Sequence, residues 1–309
     1  MDGLGNYASA AAAARLTGGE LMLDTGGIPD FFSVLSAGSE KAFIVGGSSV
    51  SRVLVGKYEC TQRLGCLCSA PMETPKTYLR FDDALGLALS KGLGYHLMTL
   101  AEWAMLCARA SGVSGHVSSG EPTVTGSGAW AYAHNGRWSG VWDLAGNVRE
   151  WVSGYRTVDG EIQIIPDNDA AAAEADELSE TGTLWRAISA AGELVAPGTS
   201  GTLKWRYLSG TTRLDTTTVV ENTNRTARLE SVQISGSVGQ TALELLGSYG
   251  IRPGMTGVIG YNTSGERLAA AGACYADKAA EARVLMGTYA RTGSSPQVGV
   301  RVCYIAEIT

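Results

Sequence analysis

Val141-Trp142-Asp143-Leu144-Ala145-Gly146-Asn147-Val148-Arg149-Glu150-Trp151-Val152 is the stretch from which the rest of the chain can be read. Gly146-Asn147 tolerates positive φ, and the valines and tryptophans around it suit short strands, so the stretch predicts a buried turn between two strand segments. Asp143 and Glu150 bracket that turn. Carboxylates so placed can fold back towards each other, towards an ion, or onto backbone amides of the turn with no ion at all.

Outside the turn the composition is that of a packed globule. Hydrophobic residues make up 45% and charged residues 17%, which excludes a disordered chain. The 309 residues have room for one large domain or two ordinary ones. Forty-one glycines against eight prolines predict many turns and irregular connections. A net charge of −6 without a basic run argues against a nucleic-acid partner. No apolar run is long enough for membrane insertion. The Ala10–Ala14 run lacks the basic start and leucine-rich centre of a secretory signal, so the expectation is synthesis in the cytoplasm without a signal peptide.

Local signals place the elements. Residues 1–38 are Gly/Ala-rich and read as an N-terminal arm or small strand unit. Ala42–Val45 and Arg52–Tyr58 read as strands. Phe81-Asp82-Asp83-Ala84-Leu85 opens a helix with an acidic first turn and an apolar stripe. Thr99-Leu100-Ala101-Glu102 is a capping box, with Trp103, Leu106, Cys107 and Ala110 on one helical face behind it. Residues 162–247 change character and read as an insertion, a loop or short helix followed by a hairpin. That insertion either contacts a neighbouring subunit or is a solvated excursion. Tyr275–Gln297 mixes charged, aromatic and apolar residues without a period, as a binding loop does.

Cysteines and histidines give no metal pattern. Cys60, Cys66 and Cys68 lack the second pair or nearby histidines that zinc prefers, His96, His116 and His134 are scattered, and the thiols read as reduced. Cys107 reads as core, and Cys274 and Cys303 can meet across a sheet.

The signature at 141–152 resembles, nearly letter for letter, that of the formylglycine-generating-enzyme (sulfatase-modifying-factor) branch of the C-type lectin fold. "VLVGKYECTQ" (53–62) is similar to the branch's opening strand, and "YHLMTLAEWAMLCARA" (95–110) to its second-helix segment, with Met98 for the usual proline. Leu268–Tyr275 stands in place of an Arg-Gly-Gly-Ser-Trp strand, and Val298–Cys303 of the closing Gly-Phe-Arg strand. The likeness covers about 40–155 and 248–305. "FIVGG" (43–47), "HNGRWSGVWDLAGNVREW" (134–151) and "VDGEIQIIPDNDAA" (158–171) are similar to phrases of phage and prophage tail proteins, many of them variable proteins of diversity-generating retroelements.

This resemblance implies an α+β chain with a C-type lectin fold: two helices packed on short mixed sheets, loop-rich, spanning 39–309, with the insertion at about 162–247 and a ligand-binding C-terminal segment at about 265–305. It implies a calcium ion held by Asp143, the carbonyls of Gly146 and Val148, and Glu150, a hard-oxygen set that suits calcium, although no cofactor is required. It implies a non-catalytic receptor-binding or adhesin protein, made in a bacterial cytoplasm and carried on a virion tail or prophage particle. Its partner would be a host-surface protein or glycan, and its setting a homo-oligomer such as a trimer, or a tail assembly. Within the C-terminal segment the chemically rich positions are Tyr275, Asp277, Lys278, Glu281, Arg283, Leu285, Met286, Tyr289, Arg291 and Thr292; tyrosine and arginine give large amphipathic contacts at low entropic cost. The branch's catalytic cysteine pair and ligating histidines have no match in Tyr275–Gln297, so no catalytic residue is assigned. Two alternatives remain: a formylglycine-type oxidase using Cys274 or Cys303, and a purely structural phage tail component.

Overall fold

The signature leads out of its turn into the longest strand, Arg149–Val158, and the molecule is organised around that strand. The computed structural model describes residues 3–16, 18–36 and 38–307, with side chains from residue 8 onward. Arg149–Val158 pairs antiparallel with Glu161–Ile164 on one side and Glu266–Ala271 on the other, and parallel with Val298–Gly299. A bulge between Leu268 and Ala269 bends the pairing. These strands lie within a twelve-stranded mixed sheet. A five-stranded sheet runs Gly19–Leu23, Pro29–Ser36, Arg52–Gly56, Val302–Tyr304, Tyr95–Leu97. Two small hairpins complete the strands.

Among the described residues four α-helices accompany them: α1 (Gly3–Leu16), α2 (Phe81–Leu89), α3 (Leu100–Arg109) and α4 (Gln240–Ser248). Successive residues of a strand face opposite sides. Trp151 accordingly meets α2, edge-on to Phe81 at 5.8 Å, while Val152 joins the other core with Trp103 and Leu106 of α3. The fold is therefore α+β. Among the described residues no helix is long and apolar enough to cross a membrane.

The two expected helices are present. In α2, Asp82 and Asp83 sit in the first turn, where the helix dipole favours them, and Phe81, Ala84, Leu85 and Ala88 form the buried stripe. The capping box forms with both of its bonds: Thr99 Oγ1 accepts the Glu102 amide at 3.1 Å, and Glu102 Oε2 accepts the Thr99 amide at 3.0 Å. Thr99 Oγ1 also donates to Asn168 Oδ1 at 2.6 Å, tying α3 to the start of the 162–247 region. Thr99→Ala removes the cap and strands a buried amide oxygen. It is expected to cost about 2 kcal/mol in urea unfolding, and Thr99→Ser to restore most of that loss.

Several sequence expectations change. Ala42–Val45 does not form one strand: Lys41–Phe43 is a 3-10 turn, and only Ile44–Val45 pairs, with Ser48–Ser49. Ahead of the signature turn the expected strand shrinks to a single bridge between Trp142 and Ala133. The 1–38 region, read as an arm or small strand unit, holds a helix and two strands among its described residues. Its hairpin, Gly19–Leu23 with Pro29–Ser36, adds to Arg52–Gly56, and buried Lys91 pins it by bonding Asp24 at 2.7 Å and Asp30 at 2.8 Å.

Residues 162–247 are no solvated excursion either. The expected hairpin exists as Lys204–Leu208 with Thr211–Asp215, but both strands belong to the large sheet, and Trp185, Trp205 and Leu214 are buried. Tyr275–Gln297 is not all loop. It contains Val284–Tyr289, hydrogen-bonded on both edges, parallel to Val258–Tyr261 and antiparallel to Glu266–Ala271. Its residues do not alternate cleanly between buried and exposed, Val284, Leu285 and Gly287 being buried and Met286, Thr288 and Tyr289 half-buried, so no period marks it in the sequence.

Candidate functional site

The signature turn lies under the 111–128 loop. Gly146 and Asn147 both take positive φ, and a Cβ on Gly115 would fall 1.8 Å from the Ala145 carbonyl oxygen. That contact is open only to glycine. The loop is bonded down by Asn147, which donates its amide to His116 O at 2.8 Å and accepts the Thr123 amide at 2.9 Å.

Three carboxylates converge beneath the turn. Glu59, from the bend between Arg52–Gly56 and Cys60–Arg63, caps it: Glu59 Oε1 accepts the Val148 amide at 3.0 Å, and Oε2 accepts the Asn147 side-chain amide. Asp143, at φ +61°, accepts the Gly126 amide on Oδ2 at 2.9 Å, while its buried Oδ1 has no hydrogen-bond partner. Both oxygens of Glu150 accept from Arg301, the Nε bond being 2.8 Å. Arg301 also donates to Gly56 O at 2.7 Å and Trp142 O at 2.8 Å. Burial pushes all three carboxyls above their usual range. Burial works against the charge on Arg301 as well, yet Glu150 beside it keeps the guanidinium protonated.

This arrangement bears on calcium. Of the implied side-chain donors, Glu150 is engaged on both oxygens by a guanidinium, which would repel a dication placed against it; only Asp143 Oδ1 is open. The donor set as arranged does not suit calcium. Millimolar calcium chloride is expected to leave the melting temperature unchanged, and a rise reversed by EGTA would reinstate the ion.

The ten C-terminal positions separate in space. Asp277, Lys278, Glu281 and Met286 line a depression of about 260 Å³. Its other walls include Arg149, from the signature strand, and Thr226, from Arg225–Arg228 of the 162–247 region. Arg149 Nη2 holds both Asp277 oxygens at 2.7 Å, and Nη1 reaches Cys274 Sγ at 3.0 Å and Gln297 Oε1 at 3.2 Å. Arg228 grips Glu281 through both oxygens, at 2.6 and 2.7 Å. The 277–281 segment is thus tethered at each end, with Lys278 and Ala279 exposed between. Met286 covers Gly260, where an added Cβ would meet its Cε at 2.5 Å.

The remaining positions lie elsewhere. Leu285 is core. Tyr275 is buried, its amide bonded to Asn147 O. Tyr289 packs against Trp151 at 5.2 Å, and burial raises its phenol. Arg291 bonds Glu266 at 2.8 and 2.9 Å and Asp82 at 2.6 Å. Arg283 lines a small apolar cavity beside Trp103, and Thr292 is exposed away from the depression. Arg149 and Arg228 escaped the sequence reading. The adjacent charged pair Arg149-Glu150 between Val148 and Trp151 was the available signal for the first.

One metal-type cluster does form despite the scatter of histidines: His96, Glu102 and Cys303 place ligand atoms within 4.8 Å of one another. His96 Nδ1 faces Gly94 O at 3.0 Å and Nε2 faces Glu102 Oε1 at 2.8 Å, so both ring nitrogens are engaged by protein oxygens. Glu102 is further bonded by Asn168 at 3.1 Å, and burial raises the Cys303 thiol. The cluster is a buried polar knot joining α3 to the five-stranded sheet. All six cysteines are free; Cys274 lies in the loop after Glu266–Ala271 and Cys303 in the five-stranded sheet, and they do not pair.

No protein-family model and no curated protein matches the chain. Among solved structures it is similar to Treponema denticola variable protein 1, at 10% identity and a TM-score of 0.43, covering 93% of this chain and 99% of that one. At that level the superposition says nothing of what this chain binds.

Proposed function

We propose that this chain is a non-catalytic ligand-binding protein of the C-type lectin fold, and that it presents the depression beside Arg149 to a host-surface molecule. The observation that carries this reading is the pair of tethers, Arg149–Asp277 and Arg228–Glu281, which anchor an exposed segment at each end over a sheet-built floor. A segment anchored at both ends has less freedom to lose on binding. The sequence phrases shared with tail-borne variable proteins support a virion setting and retroelement diversification. Burial raises the Cys274 thiol and leaves it a weak nucleophile, which favours binding over oxidase chemistry.

The first test is adsorption of the labelled protein to intact bacterial cells. Lys278→Ala with Met286→Ala is expected to weaken adsorption by about tenfold or more, the scale of one lost hot-spot contact, compared at a temperature where both proteins are fully folded. Equal adsorption by wild type and variant would overturn the assignment. The second test is the neighbouring DNA. A near-copy of the 265–305 coding segment differing at adenines should place its differences at exposed codons such as 278 and 279, not at those of Leu285 or Tyr275.

A further inference from the structure

A second concavity, of about 570 Å³, opens on the other side of the signature strand and shares no lining residue with the depression beside Arg149. Its floor follows from strand register. Glu161-Ile162-Gln163-Ile164 sends its isoleucines into the core, which leaves Glu161 and Gln163 on the opposite face. Gln163 lies across from Arg156, and Glu161 across from Lys204. These four polar side chains line the concavity, yet each residue is more than nine-tenths buried.

They also fix one another. Lys204 Nζ donates to Thr202 Oγ1 at 2.9 Å, which donates to Glu161 Oε2 at 2.6 Å; Gln163 Nε2 donates to Glu161 Oε1 at 2.7 Å, and Arg156 Nε to Gln163 Oε1 at 2.8 Å. The amide of Gly198, from the overhanging turn at 197–201, closes on Glu161 Oε1 at 3.0 Å. A fold needing only stability could fill such positions with apolar side chains at little or no cost. A set of buried donors and acceptors locked in place around a concavity of this size is how a small-ligand site is built.

The chemistry selects the ligand. Neither cation is free for an anion: Arg156 is paired with Glu266 at 3.0 Å and Lys204 with Glu161 at 4.0 Å, while Asp159 and Glu180 add negative charge. An apolar ligand would find only Val158 and Pro197. Hydroxyls of Thr199, Ser200, Thr216 and Thr218 ring the opening. We infer that this concavity is a binding site for a neutral polyhydroxylated ligand, a sugar residue or short neutral glycan.

The test uses the whole protein and a panel of methyl glycosides of hexoses and N-acetylhexosamines, observed by saturation-transfer NMR and quantified by calorimetry, with inorganic phosphate and benzoate as anionic and apolar probes. At least one glycoside is expected to bind at one site. Ser200→Trp and, from the facing wall, Thr218→Trp are both exposed substitutions that fill the opening without touching the floor. Each is expected to weaken glycoside binding about tenfold or more with no change in melting temperature. Lys278→Ala with Met286→Ala is expected to leave glycoside binding unchanged, which separates this site from the surface proposed to meet the host. Binding by no member of the panel, undiminished binding in both tryptophan variants, or preference for phosphate or benzoate would each overturn the assignment.

Discussion

Arg301→Met is expected to lower unfolding free energy by about 3–5 kcal/mol, the range for stripping one partner from a buried ion pair. Urea denaturation of the purified variant checks it. The size of the loss comes from what is left behind. Glu150 loses both of its bonds, the carbonyls of Gly56 and Trp142 lose a donor, and Glu59 and Asp143 lose the favourable field of the guanidinium in a region shut off from water. Arg301→Lys should fall between wild type and the methionine variant, since an ammonium cannot span two carboxylate oxygens and two carbonyls at once. Pairing Arg301→Met with Glu150→Met should recover most of the loss. A double variant no better than the single would mean that shape at this position matters more than charge.

The second large effect is an unusual dependence on pH. Burial raises the Glu59 carboxyl well above the ordinary glutamate value of 4.5, with Asp143 and Glu150 adding to the rise. A carboxyl with a raised folded pKa binds more proton in the native state than in the unfolded one. Its stabilising contribution is therefore complete below the ordinary value and is lost as pH climbs through the folded value. Stability should fall from the mildly acidic range towards neutrality and beyond, with a slope approaching about 1.4 kcal/mol per pH unit for each proton so held. Glu102 acts in the opposite sense. Although burial opposes its charge, His96 and the Thr99 amide hold its carboxyl below the usual range, so its contribution is lost only as pH falls through that lowered value, and it shapes the acid limb. Glu59→Gln should flatten the fall above pH 4.5 whatever it does to absolute stability. Matching slopes for wild type and variant, from urea titrations at several pH values, would assign the proton elsewhere.

What could be read from the sequence was local. The capping box at Thr99 and Glu102, the acidic opening of α2 and the positive-φ turn at Gly146-Asn147 each involve residues within one turn of chain, and each is where its spacing placed it. What could not be read depended on partners distant in sequence. The turn's carboxylate cap, Glu59, lies 88 residues before Asn147, and the partner of Glu150 lies 151 residues after it. No spacing rule links such pairs, so Asp143 and Glu150 read as two halves of an ion site when one of them has its cation supplied by the chain. The C-terminal positions were chosen by chemistry alone. Chemistry did not separate Lys278, on the surface, from Leu285, in the core, because what separates them is the tertiary placement of Val284–Tyr289 and which face of that strand each side chain takes.

That double pairing sets a rule for how the segment can change. A strand held between two neighbours that gains or loses one residue must either form a bulge or turn every following side chain to the other face, and the two arginine tethers limit the reach of the stretch before it. Letters can be exchanged there with less disturbance than the count. Any repertoire built on this scaffold is favoured to vary in chemistry at constant length, in contrast to binding proteins that diversify by growing and shrinking their loops.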